Sequence, residues 1–292
     1  MKILILGAKG NLGGEFVRLF SADSENQVIA WDHDDVDITD QELVAKKIGE
    51  IKPEIIVNCA AYNAMDKCEE SEEEFALAKK VNGEAVGYLA DSALAVGALL
   101  VHFSTDYVFA GDKQEGYTEE DAPSPISRYG ESKKMGEDEI IRRSGKGLKW
   151  YLIRTSKIFG PKGESANAKL SFFDLILKLS ADRDSFNFVS EEEISCFTYI
   201  PDLAQEVLKL IKDDAGFGVY HIANSGPSSW YDGAIELFKL KPNDKIKINP
   251  IKTSAEYPRP AKRPNYSVLL STKLPPMRNW KEALAEYLAS GN

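Results

Sequence analysis

The first thirteen residues constrain the fold of this chain more than any other segment. An apolar run, Ile3-Leu4-Ile5-Leu6, ends in a glycine, which is typical of a buried strand in a parallel sheet. The next residues are Gly7-Ala8-Lys9-Gly10-Asn11-Leu12-Gly13, and apolar residues at helical spacing follow them. A strand, a glycine-rich turn and a helix in this order are the setting in which a dinucleotide pyrophosphate binds. The G-x-x-G-x-x-G spacing predicts such a site, with an ordinary turn as the alternative.

An acidic cluster follows the second apolar run, residues 28–31. Asp32 stands about 20 residues after the glycine loop, where an acidic side chain commonly accepts the ribose 2′-hydroxyl. Unpaired carboxylates here would repel a 2′-phosphate, with His33 as the only cation candidate, which favours NADH, or use of both cofactors, over strict NADPH. Asp37 and Ile38 are predicted to reach the adenine. The alternatives are a solvated loop and, for Asp37 and Asp40, a cap on a helix at residues 41–48.

Strands and helices alternate along the first half of the chain. Apolar runs predict strands at residues 55–59, 98–103 and 150–154, and helical spacing predicts helices at 76–96 and 127–143. Repeated strand–helix units indicate an α/β fold with a Rossmann-type doubly wound parallel sheet. Ligands bind beyond the carboxyl ends of such strands. We therefore expect the residues that follow the strands to converge there, with Ala60, Ala61, Tyr62 and Ser104 contacting a cofactor.

The second half of the chain has a different rhythm. Helical spacing recurs at residues 168–180, 202–212 and 280–289, a short strand is predicted at 186–189, and prolines punctuate the tail from Gly226. We predict an NAD(P)-binding Rossmann domain at residues 1–155, with later returns near 198–222. Residues 156–197 and 223–292 are predicted to form a smaller, discontinuous substrate-binding lobe.

The overall charge excludes several classes of function. The chain has 36 Lys and Arg against 46 Asp and Glu, a net charge of −10, which argues against nonspecific binding of nucleic acid or anionic membranes. The sequence holds no apolar run long enough to cross a bilayer. Three cysteines, Cys59, Cys68 and Cys196, are an odd number without the spacing of a zinc site. We expect reduced thiols, a cytoplasmic protein and no bound metal.

Two residues of the helix predicted at residues 127–143 are candidates for proton transfer. Tyr129 and Lys133 are four residues apart, so their side chains share one helix face. A lysine cation beside a tyrosine favours the phenolate, and we expect it to lower a pKa that is ordinarily about 10. Such a phenol exchanges protons with a carbonyl or alcohol oxygen. Ser104-Thr105 ends a strand, where a hydroxyl can hydrogen-bond both to a substrate carbonyl and to Tyr129. A solvated helix face and a turn hydroxyl are the alternatives.

Together with the glycine loop, these residues make the chain resemble the dTDP-4-dehydrorhamnose reductase family, within the extended short-chain dehydrogenase/reductase superfamily. The matching segments run in family order over nearly the whole chain. They are Asn58-Cys59-Ala60-Ala61-Tyr62, Asp66-Lys67-Cys68-Glu69, Val81-Asn82, Val101-His102-Phe103-Ser104-Thr105-Asp106-Tyr107-Val108-Phe109, Tyr129-Gly130-Glu131-Ser132-Lys133, Arg154-Thr155-Ser156, Ser229-Trp230-Tyr231 and Ala261-Lys262-Arg263-Pro264.

The resemblance implies a reductase that uses NADPH or NADH to convert dTDP-4-dehydro-L-rhamnose to dTDP-L-rhamnose, in deoxysugar and surface polysaccharide synthesis. Thr105 would polarise the 4-keto oxygen, and Tyr129 would protonate it while the reduced nicotinamide delivers hydride to the sugar C4. Lys133 would hold the nicotinamide ribose and tune Tyr129. The hydride chemistry belongs to the cofactor, and the protein supplies position and electrostatics.

The resemblance also implies a nucleotide-sugar site. We expect it to involve Asp66, Lys67, Asp106, Lys157 and Arg263. Arg263 is the candidate for the diphosphate, because its guanidinium offers a bidentate fork to phosphate oxygens, and a surface salt bridge is its alternative.

Two departures from the family pattern put the exact substrate in question. Lys157 stands where the family usually has Trp, and residues 192–198 replace the family's Asp-Gln-x-Gly-x-Pro-Thr. A reductase or epimerase of another nucleotide sugar therefore stays open, as does a non-catalytic nucleotide-binding regulatory subunit of the same fold family. A homodimer is a further candidate assembly. Glu15 and residues 191–193 are candidates for a magnesium contact there, with an acidic surface as the favoured interpretation.

Overall fold

The computed structural model describes residues 1–165 and 168–291. The strands are β1 (Lys2–Leu6), β2 (Gln27–Trp31), β3 (Ile55–Asn58), β4 (Leu99–Thr105), β5 (Lys149–Thr155), β6 (Ile158–Phe159), β7 (Ser185–Val189), β8 (Thr198–Tyr199), β9 (Gly218–His221) and β10 (Lys247–Ile251). The helices are α1 (Asn11–Ser21), α2 (Gln41–Ile51), α3 (Met65–Glu70), α4 (Glu72–Lys79), α5 (Ala85–Val96), α6 (Arg128–Ser144), α7 (Phe172–Leu179), α8 (Ile200–Lys212), α9 (Trp230–Leu240) and α10 (Trp280–Ala289). A π-helical turn, Lys80–Glu84, joins α4 to α5, and 3-10 turns lie at Asp106–Val108 and Ser254–Glu256.

The main sheet is parallel throughout the described residues. Its strand order is β2-β1-β3-β4-β5-β9, and every neighbouring pair runs in the same direction. The chain goes outward from β1 to β2 and then crosses back to β3 on the other side. The strand order therefore reverses beside β1, and ligands bind beyond the carboxyl ends of strands at such a point. The predicted Rossmann-type doubly wound fold is confirmed.

Helices cover both faces of this sheet because its strands carry apolar residues on both sides. Phe16 of α1 and Leu203 of α8 are buried on one face, and Leu89 of α5 and Ile140 of α6 on the other. Each helix presents one apolar stripe to the strands, as an amphipathic surface helix does. Helix α6, which carries Tyr129 and Lys133, thereby packs against β4 and β5.

The predicted helix at residues 76–96 is interrupted by the π-helical turn. There, the Asn82 amide accepts the Tyr62 N–H at 2.9 Å, and it donates to the Tyr62 carbonyl at 2.8 Å and to Ser132 at 2.9 Å. A Cβ on Gly83 would come within 3.0 Å of the Met135 side chain, so the turn also packs closely on α6. The extra residue of the π turn places Asn82 under the loop after β3, and no helical periodicity predicts such a turn.

The predicted helix at residues 168–180 begins later, at Phe172. The Ser171 hydroxyl accepts the Asp174 N–H and caps the helix, so residues 168–171 stay outside it. The predicted strands were placed correctly, each within two residues of its observed ends.

A second, aromatic core lies in the part of the chain that follows β5. Phe159, Phe173, Phe197, Trp280 and Tyr287 are buried together. Phe159 and Phe173 meet edge to face with ring centroids 5.0 Å apart, a favoured geometry for buried aromatic pairs. Helix α8 and strand β9 instead return to the main sheet, where β9 pairs with β5. No helix in the described part of the chain is long and apolar enough to cross a membrane.

Candidate active site

The glycine loop between β1 and α1 has the geometry of a pyrophosphate cradle. Gly7 has φ +69°, and a Cβ there would lie 2.8 Å from the backbone nitrogen of Ala60. A Cβ on Gly13 would lie 2.1 Å from the Gly7 carbonyl oxygen, so that position admits only glycine. Gly10 precedes α1 without any side-chain cap, which leaves the N–H groups of the first turn, at Asn11, Leu12 and Gly13, to meet an anion.

A segment after β6 packs directly on this loop. A Cβ on Gly163 would lie 2.4 Å from the Lys9 carbonyl oxygen, and the Gly163 N–H donates to the Asn11 side chain at 3.0 Å. The Asn11 amide in turn donates to the Lys169 carbonyl at 2.9 Å. The glycine pattern did not predict this contact, because it joins residues more than 150 positions apart.

The acidic loop after β2 lies beside the glycine loop. Asp32 accepts the Lys9 N–H at 2.9 Å and the His33 N–H at 2.8 Å. The Lys9 ammonium lies 3.5 Å from Asp34, so a cation does stand near this cluster. The view of His33 as the only cation candidate was therefore wrong, because Lys9 reaches the cluster from the glycine loop.

The two predicted adenine contacts have local partners. The exposed Asp37 carboxylate accepts the Thr39 N–H at 2.9 Å and the Thr39 hydroxyl at 2.8 Å, which favours the solvated-loop alternative. Ile38 is buried in the core with Leu4 and Leu6. Asp40 accepts the Leu43 N–H and caps α2, as its alternative predicted.

Thr105 and Tyr129 meet beyond the carboxyl end of β4. The Thr105 hydroxyl lies beside the Tyr129 phenol and interacts with it. The same hydroxyl donates to Asp106 at 3.1 Å and accepts the Tyr107 N–H at 3.2 Å. The Tyr107 ring packs edge to face against the Tyr129 ring, with the two ring centroids 5.9 Å apart. The sequence prediction that this hydroxyl and this phenol come together agrees with the geometry.

Lys133 lies one turn of α6 behind the phenol and is only 2% exposed. Its ammonium donates to the Phe103 carbonyl at 2.7 Å. Burial lowers the pKa of Lys133 to about 8, although the nearby Glu137 carboxylate raises it.

The expected effect of Lys133 on Tyr129 was wrong. Burial, and then the charge of Asp106, raise the pKa of Tyr129 above its ordinary value, and the interaction with the Thr105 hydroxyl opposes this rise. The lysine is instead directed at the backbone of β4. Tyr129 therefore stays protonated at neutral pH, the state that a proton donor requires.

The two hydroxyls of the Ser104-Thr105 pair have different surroundings. Ser104 is buried and donates to Glu137 at 2.5 Å, on the side of β4 that faces α6. Thr105, the last residue of β4, is the hydroxyl that lies beside Tyr129. The predicted cofactor contact of Ser104 has no support from its side chain.

Lys157 lies in an aromatic cage within the C-terminal part of the chain. Its ammonium donates to the carbonyls of Glu193 at 2.7 Å and Ser228 at 2.9 Å. It also lies 4.5 Å from the Trp230 ring centroid and 5.2 Å from that of Phe197. Burial lowers the pKa of Lys157 to about 7, and the Asp106 charge raises it.

Asp106 interacts with both Lys157 and the Thr105 hydroxyl. Burial raises the pKa of this carboxyl to about 6, against the hydrogen bonds from Ser267 and Thr105 and the charge of Lys157, which lower it. The Ser267 hydroxyl donates to Asp106 at 2.6 Å. Asp106 therefore accepts hydrogen bonds from both Ser267 and Thr105, and the Thr105 hydroxyl lies beside Tyr129.

Arg263 forms a bidentate ion pair with Asp66, at 2.7 and 2.8 Å. The arginine side chain is 7% exposed and also bonds to Tyr107, so this is not the surface salt bridge named as its alternative. Lys67 is exposed beside them. Sequence inspection missed Arg259, which pairs with the buried Glu193 carboxylate and lies near Arg263 and Tyr107. Two guanidinium groups therefore flank Tyr107.

The loop after β3 joins the same edge. The Ala60 N–H donates to the Asn58 side-chain oxygen at 3.2 Å, and Ala61 is exposed. The Asn82 side chain binds both the N–H and the carbonyl of Tyr62. Asn82 belongs to the matching segment Val81-Asn82, but the sequence did not predict its contact with Tyr62.

Among residues 1–165 and 168–291, no group of three or more His, Cys, Asp or Glu residues could hold a metal ion. Glu15 is instead paired with Arg18, and Glu192 accepts hydrogen bonds from Ser254.

Comparisons with known proteins agree with this arrangement. The family model described as the RmlD substrate binding domain matches residues 1–292. A probable dTDP-4,6-dihydroxy-2-methyloxan-3-one 4-ketoreductase of Streptomyces antibioticus is 36% identical and covers 98% of this chain and 94% of that protein.

Two solved structures share the fold over the whole length. A dTDP-4-dehydrorhamnose reductase of Clostridium acetobutylicum is 39% identical with a TM-score of 0.88, and the match covers 99% of both chains. The Bacillus anthracis dTDP-4-dehydrorhamnose reductase, solved in complex with NADP, is 32% identical with a TM-score of 0.88 and the same coverage. The family predicted from the motifs is confirmed, and this chain belongs to the RmlD substrate binding domain family of dTDP-4-dehydrorhamnose reductases.

Proposed function

We propose that this protein is an NAD(P)H-dependent reductase of a 4-keto nucleotide sugar. The first candidate reaction is dTDP-4-dehydro-L-rhamnose to dTDP-L-rhamnose, in deoxysugar and surface polysaccharide synthesis. One observation carries the proposal: the Thr105 hydroxyl meets a protonated Tyr129 phenol, with the Lys133 ammonium buried one helical turn behind. Two dTDP-4-dehydrorhamnose reductases that match nearly the whole chain support the same reaction.

The residues around β1 fit a dinucleotide. Glycine is required at positions 7 and 13, and the uncapped N-terminus of α1 offers free N–H groups to a pyrophosphate. Asp32 stands where a ribose hydroxyl is commonly accepted. Bound in this cradle, NADPH or NADH would supply the hydride that reduces the sugar carbonyl.

The protein's own groups would handle the carbonyl oxygen. Tyr129 keeps its proton at neutral pH and can donate it to an oxygen on which negative charge develops. Thr105 would orient the same oxygen by a second hydrogen bond. Lys133, charged for the most part below about pH 8, would place positive charge behind the phenol and offer donors to a ribose hydroxyl.

We further propose that the C-terminal lobe, residues 156–197 and 223–292, binds the nucleotide sugar above the sheet edge. Asp66, Lys67, Asp106, Lys157, Arg259 and Arg263 are the candidates. The two partly buried guanidinium groups beside Tyr107 match the charge and the fork geometry of a diphosphate. A cytoplasmic homodimer remains part of the proposal, to be checked by sedimentation of the purified protein.

A second candidate is a reductase of a different nucleotide sugar. Lys157 replaces an aromatic wall of the family with an ammonium group, and this ammonium binds two carbonyls of the lobe. A non-catalytic regulatory subunit is the third candidate. The Thr105–Tyr129 contact favours an enzyme over that binder.

The decisive experiment is the oxidation of NADPH and NADH by the purified protein across a panel of 4-keto nucleotide sugars. We expect turnover with dTDP-4-dehydro-L-rhamnose. Turnover of another sugar alone would establish the second candidate. Tight dinucleotide binding without turnover of any panel member would contradict the reductase and leave the regulatory subunit.

A further inference from the structure

Three consecutive residues of β4 are engaged by three successive turns of α6. The Phe103 carbonyl accepts the Lys133 ammonium at 2.7 Å, and the Ser104 hydroxyl donates to Glu137 at 2.5 Å. Thr105, the next residue, meets Tyr129. Tyr129, Lys133 and Glu137 are spaced by four residues and so share one face of the helix. Glu137 also lies on this face, but it has no role in the reaction proposed above.

Glu137 is an ionised group in the protein interior. It is 1% exposed, and Arg154, itself 2% exposed, donates to both of its oxygens, at 3.0 and 2.7 Å. A buried carboxylate costs several kcal/mol unless it is paired and hydrogen-bonded, and here both conditions are met. The Arg154 guanidinium is held in turn by His221, whose ring nitrogen lies 3.4 Å away. The carboxylate is therefore fixed in position and in charge.

We propose that Glu137 is a positioning residue of the reductase, whose carboxylate keeps the Lys133 ammonium charged and directed along β4 behind Tyr129. The inference rests on the proposed reductase function. It gives the buried Glu137–Arg154 ion pair a functional role. Packing alone does not require such a pair, because apolar residues of similar volume often replace buried ion pairs without loss of stability.

The surroundings of Lys133 support this assignment. The ionisable groups that influence it within the described residues are Glu137 of α6, Cys59 after β3 and His102 of β4. Burial holds the pKa of His102 well below its usual value and raises the pKa of Cys59, so both are neutral near pH 7. Glu137 is then the charged partner that opposes the effect of burial on Lys133.

The test removes both charges of the pair together, in Glu137→Gln/Arg154→Met, so that no buried charge is left alone. We expect the pKa of Lys133 to fall by about one pH unit, a tenfold change in its proton affinity. The probe is a pH titration of the lysine side chains by ¹³C NMR in the full chain, assigned with Lys133→Met, which requires no turnover. The alkaline limb of kcat/KM is expected to move to lower pH by the same amount.

Two controls separate charge from packing. Ser104→Ala removes the hydrogen bond to Glu137 but keeps both charges, and Lys134→Met/Asp138→Asn removes a more exposed ion pair from the same helix. Both should leave the Lys133 titration at the wild-type position. An equal shift in Ser104→Ala would overturn the proposal, because packing and not charge would then explain the result.

The outcomes remain separable if a variant or the reaction fails. An unmoved Lys133 titration in a folded Glu137→Gln/Arg154→Met protein overturns the inference. Should that protein not fold, Glu137→Asp withdraws the carboxylate by one methylene, and Lys133 must then titrate at lower pH than in the wild type. A wild-type protein that reduces no keto sugar would contradict the proposed function, while the NMR titration would still decide the electrostatic role of Glu137.

Discussion

The Lys157 ammonium lies 4.5 Å from the centroid of the Trp230 ring, inside the C-terminal lobe. It also donates to two backbone carbonyls, of Glu193 and Ser228, so the side chain ties the turn after β5 to two separate loops. Lys157 has φ +38°, a left-handed conformation that is uncommon outside glycine. Where the family usually has a flat aromatic side chain, this protein has a lysine whose amino group joins the turn after β5 to these two loops.

This arrangement predicts how stability depends on pH. The pKa of Lys157 is about 7 in the folded protein and 10.5 in the unfolded chain, so the unfolded state binds more protons between these values. The free energy of unfolding should therefore rise with pH across that window in the wild type, by up to about 1.4 kcal/mol per pH unit. Urea denaturation at pH 7, 8 and 9 should show this gain reduced in Lys157→Met.

The matched control is Lys149→Met, at an exposed position of β5. Its stability should follow the wild type at each pH. Equal pH dependence in the wild type and Lys157→Met would contradict a lysine that loses its proton on folding.

Tyr129→Phe should abolish turnover and leave dinucleotide binding intact. The ring stays in its contact with Tyr107, whereas the proton donor is removed. General acid catalysis typically contributes about 10²- to 10⁴-fold, which sets the expected loss in kcat. Steady-state NADPH oxidation measures kcat, and the quenching of protein fluorescence by NADPH gives its Kd. Tyr88→Phe, at a partly exposed position of α5, is the control, and full activity in Tyr129→Phe would remove the phenol from the mechanism.

Gly13→Ala should disrupt the pyrophosphate cradle. The new Cβ would stand 2.1 Å from the Gly7 carbonyl, so the loop or the helix must move. We expect at least a tenfold rise in the Kd for NADPH, together with a loss of stability. Gly14→Ala is a close control, because its Cβ would lie 3.6 Å from the Ala8 carbonyl, an ordinary contact. Calorimetric titration of both proteins with NADPH separates the two positions, and equal affinities would argue against this cradle.

The positions of the main elements followed from local patterns. The glycine triad, the apolar strands and the Tyr129–Lys133 spacing are short-range signals. The strands form the sheet, and the glycine loop and Tyr129 lie at the edge where its strands end. The sign of the Tyr129 pKa shift did not follow. It depends on burial and on Asp106, whereas Lys133 is drawn to the Phe103 carbonyl. Spacing along a helix shows which side chains share a face, but it does not show what lies opposite them.

The partners of long side chains were equally hidden. Lys157 binds carbonyls 36 and 71 residues away, and Arg263 pairs with Asp66 across 197 positions. The sequence predicts both Lys157 and Arg263 as substrate ligands, without indicating these contacts. Contacts over such distances in sequence depend on the folded lobe, and no local pattern encodes them.

Arg263→Lys tests whether the buried arginine also binds the diphosphate. Lysine keeps the charge but loses the planar fork, and it can neither pair bidentately with Asp66 nor grip two phosphate oxygens. We expect the KM for the nucleotide sugar to rise about tenfold with kcat little changed, because the lost contact is made equally in the ground and transition states. Initial rates at varied nucleotide sugar, with saturating NADPH, give both constants.

Asp66→Asn separates this role from a structural one. It breaks the same ion pair while leaving the arginine in place, so it should lower stability as much as Arg263→Lys does and raise the KM less. Arg142→Lys, on the exposed face of α6, controls for the loss of a guanidinium as such. If Arg263→Lys and Asp66→Asn lose the same stability and leave the KM unchanged, Arg263 serves only to anchor the tail of the chain to α3, and the diphosphate must be bound by Arg259 or by the backbone.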